Sequence, residues 1–484
     1  MRRALIAVSS VCDLPLAYVS IYPDTNANIA VRNARLTGVR PLRGPCHGDL
    51  YDVTAQPESW WRASAPALPR RQPLAGETRA EVAIIGCGFA GLSCALTLAQ
   101  RGVDAVALDA GAVGWGASGR NGGIVGLSSD KLDMAARIAR VGEAEARRLT
   151  ETMVEGARRL RAFCAAQGVE TQGDAEVIVA PDRRAFAALR AEAEAARWGV
   201  TAQLLSREAY AERGFIGPQQ HGALRIRPGF ALHPLMLTAA LARAAEAAGA
   251  RLHPFSEALR WRREGADHLL ETARGVLRAK KVVLATNGFT PDALHPAFAA
   301  RAMPVLSMIG VTRPLSDEAL SRHAWAEESP LTNTRRMLYY WRMLPQRRLL
   351  FGMRGDLSGS RASAPRWRAR LAAHLARAYP AWRDIPLDFY WRGPICATRA
   401  MAPAVGRLAD DASVFHAFGW HGSGVNGAQV AGRLLAGVIA GAPDATIPAL
   451  WRGLPPRIPL PGLRPLWLGA TLAAYRAADA WDAR

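Results

Sequence analysis

The chain has 484 residues, half of them hydrophobic and 21% charged. That composition is globular, with room for two domains, and it excludes a small disulfide scaffold, a collagen-like chain and a mostly disordered one. A formal charge of +20 raises nucleic acid or an anionic surface as a partner. However, 58 of the 61 basic residues are Arg, scattered and mixed with Glu as in 142–161. This is the usage of a GC-rich genome rather than a binding stripe. Nucleic acid is therefore not expected as a partner, and a leaning toward anionic substrates is what remains.

In chain order, residues 1–52 stand apart. Met1-Arg2-Arg3 followed by 4–8 resembles the start of a signal peptide, but Asp13 and Pro15 cut the apolar core short and no small-residue cleavage site follows. The natural start is expected near Val53, at an alternative start codon, with residues 53–80 forming a leader stiffened by Pro66, Pro69 and Pro73. No apolar run reaches the length of a membrane span. The six cysteines include no CxxC pair and no His cluster. They are expected as free core thiols in a reducing cytoplasm, with no metal site.

Residues 82–85 read as a buried parallel strand. The strand runs into Gly86-Cys87-Gly88-Phe89-Ala90-Gly91, and a helical pattern follows. Gly86 allows the tight turn, Gly88 lets the backbone approach a pyrophosphate, and Gly91 lets helix and strand pack closely. The helix opening at Phe89 and Ala90 offers free N–H groups and a positive dipole end. A second strand, 105–108, ends at Asp109 and Ala110, where a carboxylate accepts hydrogen bonds from ribose hydroxyls. The spacing predicts dinucleotide binding. The second glycine-rich loop, 114–123, favours FAD over NAD, because a long flat loop can run under the diphosphate toward a flavin. Its candidate contacts are Gly116, Ala117, Ser118, Arg120, Asn121, Gly122 and Gly123, with Arg120 supplying positive charge.

These motifs resemble the D-amino-acid-oxidase-like superfamily of FAD oxidoreductases. The string 116–123 and the leader Ser59-Trp60-Trp61 are most similar to the gamma-glutamylputrescine oxidoreductase group. The resemblance implies an α/β chain, α+β overall: a Rossmann-like FAD-binding domain with an inserted substrate domain built on an antiparallel or mixed sheet. The FAD domain is expected at 81–130, 226–300 and 393–445. The substrate domain is expected at 131–225 and 301–392, and a tail, 446–484, is expected to pack on the FAD domain. By the same resemblance Ala258 lies near the adenine, and Ala285, Thr286 and Gly288 form a turn near the diphosphate. The turn Gly419, Trp420, Gly422, Ser423, Gly424 and Val425 aims backbone N–H groups at the flavin pyrimidine, stabilising negative charge on the reduced ring. FAD is expected to be non-covalent, since Cys396 has the wrong spacing for attachment.

The implied reaction is amine oxidation. A neutral amine gives hydride to the flavin, and the imine hydrolyses to an aldehyde. Such a step needs orientation and a deprotonated amine more than a dedicated base. On strand 337–342, Tyr340 and Arg342 share one face and Tyr339 and Trp341 the other. Tyr340 and Arg342 are expected to look into the site, with Arg342 anchoring a substrate carboxylate. His421 either polarises the substrate or packs beside the ring. His233 is expected to be structural, and Trp391 and Arg392 are candidates to line the cavity.

Three departures from the group's pattern bear in turn on the ribose contact, the amine and the acceptor. Asp109 stands where Glu is usual, and 419–424 orders its small residues and His differently. Some related oxidases place a Lys above the flavin to speed reaction with dioxygen. None of Lys131, Lys280 and Lys281 falls in the corresponding segment, where Arg354 lies nearby, so dioxygen and another acceptor both remain. An amino-acid oxidase or dehydrogenase for glycine, sarcosine or D-amino acids is the alternative enzyme. A basic nucleic-acid-binding protein with a vestigial flavin fold is the alternative from another class.

Overall fold

The computed structural model describes residues 48–482 apart from 54, 56, 195, 214–216 and 324. Of the segment 1–52, therefore, 1–47 lie outside the described residues.

The apolar run at 82–85 forms the buried end of a strand, Gly76–Ile85, that starts before the expected boundary at 81. It pairs in parallel with Ala105–Leu108 on one side and with Gly275–Leu284 on the other. Gly275–Leu284 in turn pairs in parallel with Val414–Phe418. All four strands are fully buried at their carboxyl ends, as central strands covered on both faces must be. They belong to an eight-stranded sheet. Helices Phe89–Ala99, Pro234–Ala247 and Gly424–Ile439 bury their small and aliphatic residues in one core on it.

The second sheet also has eight strands. Its order is Leu387–Ala397, Met303–Thr312, Leu349–Arg354, Tyr339–Met343, Leu331–Asn333, Glu176–Ala180, Gly222–Arg227 and Thr201–Ser206. One face carries Val177, Met308, Tyr339, Trp341, Phe351 and Met353, packed against helix Ala364–Ala378.

The expected architecture is present, but three boundaries shift. Helix Glu143–Ala166, placed by sequence with the substrate domain, buries Leu149, Met153, Ala157 and Leu160 in the core of the first sheet. Segment 131–225 contributes three strands to the second sheet, as well as helices. The tail divides. Residues 447–451 pack on the first core through Ile447 and Trp451, whereas helix Arg464–Asp482 turns Leu468 and Leu472 onto Val305 of the second sheet. The helix is amphipathic, and an apolar stripe docks wherever a matching face is open, which sequence alone does not show. No helix among the described residues is long and apolar enough to cross a membrane.

Candidate functional site

Three glycine-bearing turns meet at the carboxyl ends of the parallel strands, the usual place for a ligand in an open α/β sheet. The first turn leaves strand 76–85 at Gly86, whose φ is +113°. A Cβ there would stand 2.8 Å from Ala285 O in the second turn. A Cβ on Gly91 would stand 1.9 Å from Gly86 O, so strand and helix touch at backbone distance. A Cβ on Gly88 would meet Ser118 Oγ at 2.9 Å. The Phe89 N–H, at the helix N-terminus, donates to that same hydroxyl at 2.9 Å. Ala90 is buried against helix Gly424–Ile439, where a Cβ on Gly432 would meet Ala90 O at 2.3 Å.

Asp109 accepts from Cys87 N–H at 2.7 Å and from Gly111 N–H at 2.9 Å, with Ala110 between. Burial pushes its carboxyl up to about 6, against the opposing pull of these two hydrogen bonds. A raised carboxyl binds more protons folded than unfolded at intermediate pH. Stability from this group is therefore fully present below the unfolded value of 3.8 and is lost as pH rises toward 6. Ribose hydroxyls donating to Asp109 would stabilise its charged form. Asp109→Asn is expected to weaken FAD retention roughly 10- to 150-fold, the equivalent of one charge-assisted hydrogen bond. It is also expected to flatten the apoprotein's loss of melting temperature between pH 4 and 6. Cofactor titration and melting curves of the apoprotein check the two halves separately.

The loop 114–123 folds on itself. Asn121 Nδ2 donates to Ala117 O and Ser118 O, and its Oδ1 accepts from Gly123 N–H, so this side chain shapes the loop. Arg120 is buried, with Nε donating to Trp115 O and the guanidinium 4.3 Å over the Trp115 ring. Burial and Arg62 hold it down at about 10. Gly116 faces Phe289. Tyr51 donates to Gly288 O at 2.7 Å and packs edge-on against Phe289.

The second and last turns are tied together by Asn287, whose Oδ1 accepts from Gly419 N–H at 3.0 Å. Ala285 N–H donates to Ile85 O, and the Thr286 hydroxyl pairs with Thr290. Gly419 and Gly422 have φ of +87° and +96°, which leads the chain into the helix at Gly424. Ser423 gives this helix no side-chain cap, so the first-turn amides, beginning with Gly424 and Val425, are left for another acceptor. Trp420 packs on Trp451. Ala258 is a core residue of the first sheet. Cys396 is buried with its thiol pushed up to about 12, an unreactive neutral group.

The second sheet's other face lies over the loop 114–126. Register puts Ser307 opposite Arg354, Tyr340 opposite Gly352 and Thr332, and Ile178 opposite Thr332. Paired residues share a face and alternate residues return to it. Glu176, Thr332, Tyr340, Arg342, Arg354 and Ser307 therefore all point to the loop. Part of this face is apolar and plugged: Ile309, Val311, Leu350, Trp391 and the ring of Tyr340 pack with Trp61 of the leader and Leu235. Trp61 Nε1 donates to Asn121 O and Trp391 Nε1 to Arg120 O, pinning sheet to loop. The rest is polar and roofs a cleft. Tyr340 packs its ring on Gly122 and shares a 2.8 Å hydrogen bond with Ser307 Oγ.

Four expectations are corrected by this geometry. Arg342 shares the face of Tyr340 and sits beside the plug, 2% exposed. Its Nη2 donates to Leu232 O at 2.8 Å, and the guanidinium stacks over Trp61. Burial pulls it down to about 9. It braces Gly123 and is not open to a substrate carboxylate. His421 is buried, and its Nε2 accepts from Thr398 N–H at 3.2 Å. Burial, then Lys131, holds it near 4, so it is a neutral tie between two turns rather than an acid. Arg392 lies on the opposite face, paired with Asp356 at 2.6 Å, and Trp391 belongs to the plug. His233 is structural as expected, its Nδ1 accepting from Met236 N–H at a helix start.

Three charged residues given no role by sequence enter the cleft instead. Arg354 and Glu176 come from the sheet, and Lys131 comes from the loop after 126. The available signal was rarity, since Lys131 is one of only three lysines among 61 basic residues.

The glycine cradle, the uncapped helix starts and Asp109 fit FAD. Residues 81–438 match the family model for DAO, FAD dependent oxidoreductase. The chain is 30% identical over 429 residues to gamma-glutamylputrescine oxidoreductase of Escherichia coli (strain K12), covering 87% of this chain and 98% of that one. It is 29% identical over 400 residues to a probable oxidoreductase, OrdL, of Rhizobium meliloti (strain 1021), covering 79% and 88%. Among solved structures, L-proline dehydrogenase from P. horikoshii superposes with a TM-score of 0.63 at 18% identity, over 76% of this chain and 94% of that one. Glycine oxidase from Geobacillus kaustophilus superposes with a TM-score of 0.61 at 21% identity, over 78% and 99%. These two share the fold. The family match across most of the chain carries the identity: this protein belongs to the DAO family of FAD-dependent oxidoreductases.

Proposed function

We propose that the chain oxidises a carboxylate-bearing primary amine of the gamma-glutamylputrescine kind, using FAD as the two-electron acceptor. The observation that supports this most directly is the polar part of the roof. Among the described residues the Arg354 guanidinium makes no hydrogen bond or ion pair, while Tyr340 and Ser307 flank it. Burial holds Arg354 below its ordinary value. A half-buried guanidinium with no hydrogen-bonded partner favours an anion beside it, and a carboxylate matches its fork of donors. The substrate's own carboxylate is that anion in this reading.

In this proposal the cofactor contacts are Gly86, Gly88, Phe89, Gly91, Asp109, Gly116, Ser118, 122–123, 285–288 and 419–425. The turns at 86–91 and 285–288 would hold the diphosphate, and the amides at the helix start at Gly424 would serve the flavin pyrimidine. Asn121 and Arg120 hold the loop, Arg342 braces it at Gly123, and His421 ties the turn at 419–425 to Thr398. Tyr340 forms a wall of the amine site, its hydroxyl raised to about 12 by burial and thus a proton donor at working pH. Bound FAD would supply the hydride acceptor, and the protein orients the carbon that gives the hydride. The described cysteines are free and buried, in keeping with a cytoplasmic enzyme.

Anaerobic mixing of the purified holoenzyme with gamma-glutamylputrescine tests the reading. Rapid bleaching of the flavin band is expected, and recolouring on admission of air identifies dioxygen as acceptor. A flavin that stays oxidised with this amine, but bleaches with glycine, sarcosine or a D-amino acid, overturns the substrate and keeps the family.

A further inference from the structure

The cleft holds a lysine that neither the family match nor the carboxylate anchor uses. Lys131 is surrounded by protein yet open to solvent, which places its side chain in the cleft. Its backbone N–H donates to Met401 O at 2.9 Å, fixing it beside the turn that holds Thr398 and His421. Its ammonium makes no hydrogen bond or ion pair among the described residues. The adjacent Asp130 is already engaged, by Ser129 Oγ at 2.7 Å, Leu132 N–H at 3.0 Å and Arg137 at 3.2 Å. Across the cleft, the Glu176 carboxylate has only a 3.5 Å approach from the Thr332 hydroxyl and lies hard against Gly126.

We propose that the Lys131 amine is the proton acceptor for the bound substrate ammonium, with Glu176 as its counter-charge. This rests on the amine-oxidation reading above. An alkyl ammonium loses its proton near pH 10 in water, and no hydride leaves the adjacent carbon until it does. In the first step R–CH2–NH3+ gives its proton to the Lys131 amine, leaving R–CH2–NH2 and an ammonium on Lys131. The α-carbon hydride, with both electrons of its C–H bond, then passes to FAD, leaving R–CH=NH2+. Water adds to that carbon, and ammonium departs from the resulting aldehyde.

The groups facing Lys131 set its basicity. Burial, then Arg354, pulls the amine down to about 8, while Glu176 and Asp130 oppose this, and His421 is neutral beside it. That is the range for a base working near neutral pH. It is also chemistry that Arg does not offer, because guanidinium stays charged. A chain that writes nearly every cation as Arg keeps Lys here.

The test compares Lys131→Arg, which keeps the charge, with Lys131→Met. Both are expected to load FAD normally, and both to slow anaerobic flavin reduction on the order of 100- to 10,000-fold near pH 8. In the natural enzyme the reduction rate should climb through about pH 8. In both variants the climb should move toward the substrate's own value near 10. A second readout needs no turnover. An analogue with two methyl groups on the reacting carbon has no hydride to give. Calorimetry at pH 9 in buffers of different ionisation heat should show no net proton release on its binding to the natural enzyme. It should show about one proton released with Lys131→Met, where only the neutral amine binds. If Lys131→Arg keeps the rate and the climb near pH 8, Lys131 is only a charge and the proposal fails. If the natural enzyme reduces with no amine, the functional reading itself fails.

Discussion

Gly91→Val protein is expected to purify colourless. A Cβ at position 91 would stand 1.9 Å from Gly86 O and 3.2 Å from the Ile84 side chain. Both obstacles belong to the strand–turn–helix unit that shapes the cradle, and the nearer one is backbone, which no rotamer change can move. Overpacking of this kind costs about 1–3 kcal/mol when side chains alone can yield. Here the helix start must back away from the strand. That displaces Phe89 N–H from Ser118 and opens the turn to 285–286. Retention of FAD should fall more than 100-fold, read as flavin absorbance per mole of protein after gel filtration. Gly462→Ala is the control, since a Cβ there meets nothing within 4 Å. It should stay yellow. A yellow Gly91→Val protein with normal stoichiometry would mean that the cradle does not hold the diphosphate.

The two arginines of the roof should separate cleanly. Arg354→Met is expected to raise KM for gamma-glutamylputrescine roughly 10- to 150-fold, the loss of one charge-assisted contact to carboxylate. KM for putrescine, which has no carboxylate, should hardly change. The natural enzyme is expected to prefer the former. Arg342→Met should do the reverse. It leaves Leu232 O without its donor and a void beside Trp61, which destabilises the fold by about 1–3 kcal/mol. The variant should therefore melt lower while KM at ambient temperature stays near the natural value. A steep KM increase with Arg342→Met and none with Arg354→Met would restore the assignment that the strand pattern first suggested.

That contrast shows where sequence reading stops. Alternation along strand 339–343 correctly put Tyr340 and Arg342 on one face, because the period of two is a property of the backbone. What each residue meets on that face depends on its position across the sheet. Tyr340 packs into a plug built from Trp61, Trp391 and Leu235, none of them local to the strand, with its hydroxyl turned to Ser307, whereas two residues on, the Arg342 guanidinium is claimed by Leu232 O. The leader Ser59-Trp60-Trp61 was legible as a group signature, but its work as a wedge between sheet and loop was not.

The dinucleotide cradle was the most legible part. Gly86, Gly88 and Gly91, the strand before them and Asp109 after them form one contiguous supersecondary unit. Its requirements for tight turn, close approach and carboxylate are met within thirty residues. By itself, the sequence determined the fold class, the family and the FAD requirement, because the motifs that carry them rest on local backbone geometry. Only the tertiary structure decided the charged lining of the cleft. It joins Lys131 from a loop, Glu176 from one strand and Arg354 from another 178 positions later. It also spends Arg342, His421 and Arg392 on internal partners. A charge is available to a substrate only when no neighbour in space claims it, and those neighbours are set by sheet order and packing rather than by adjacency in the chain.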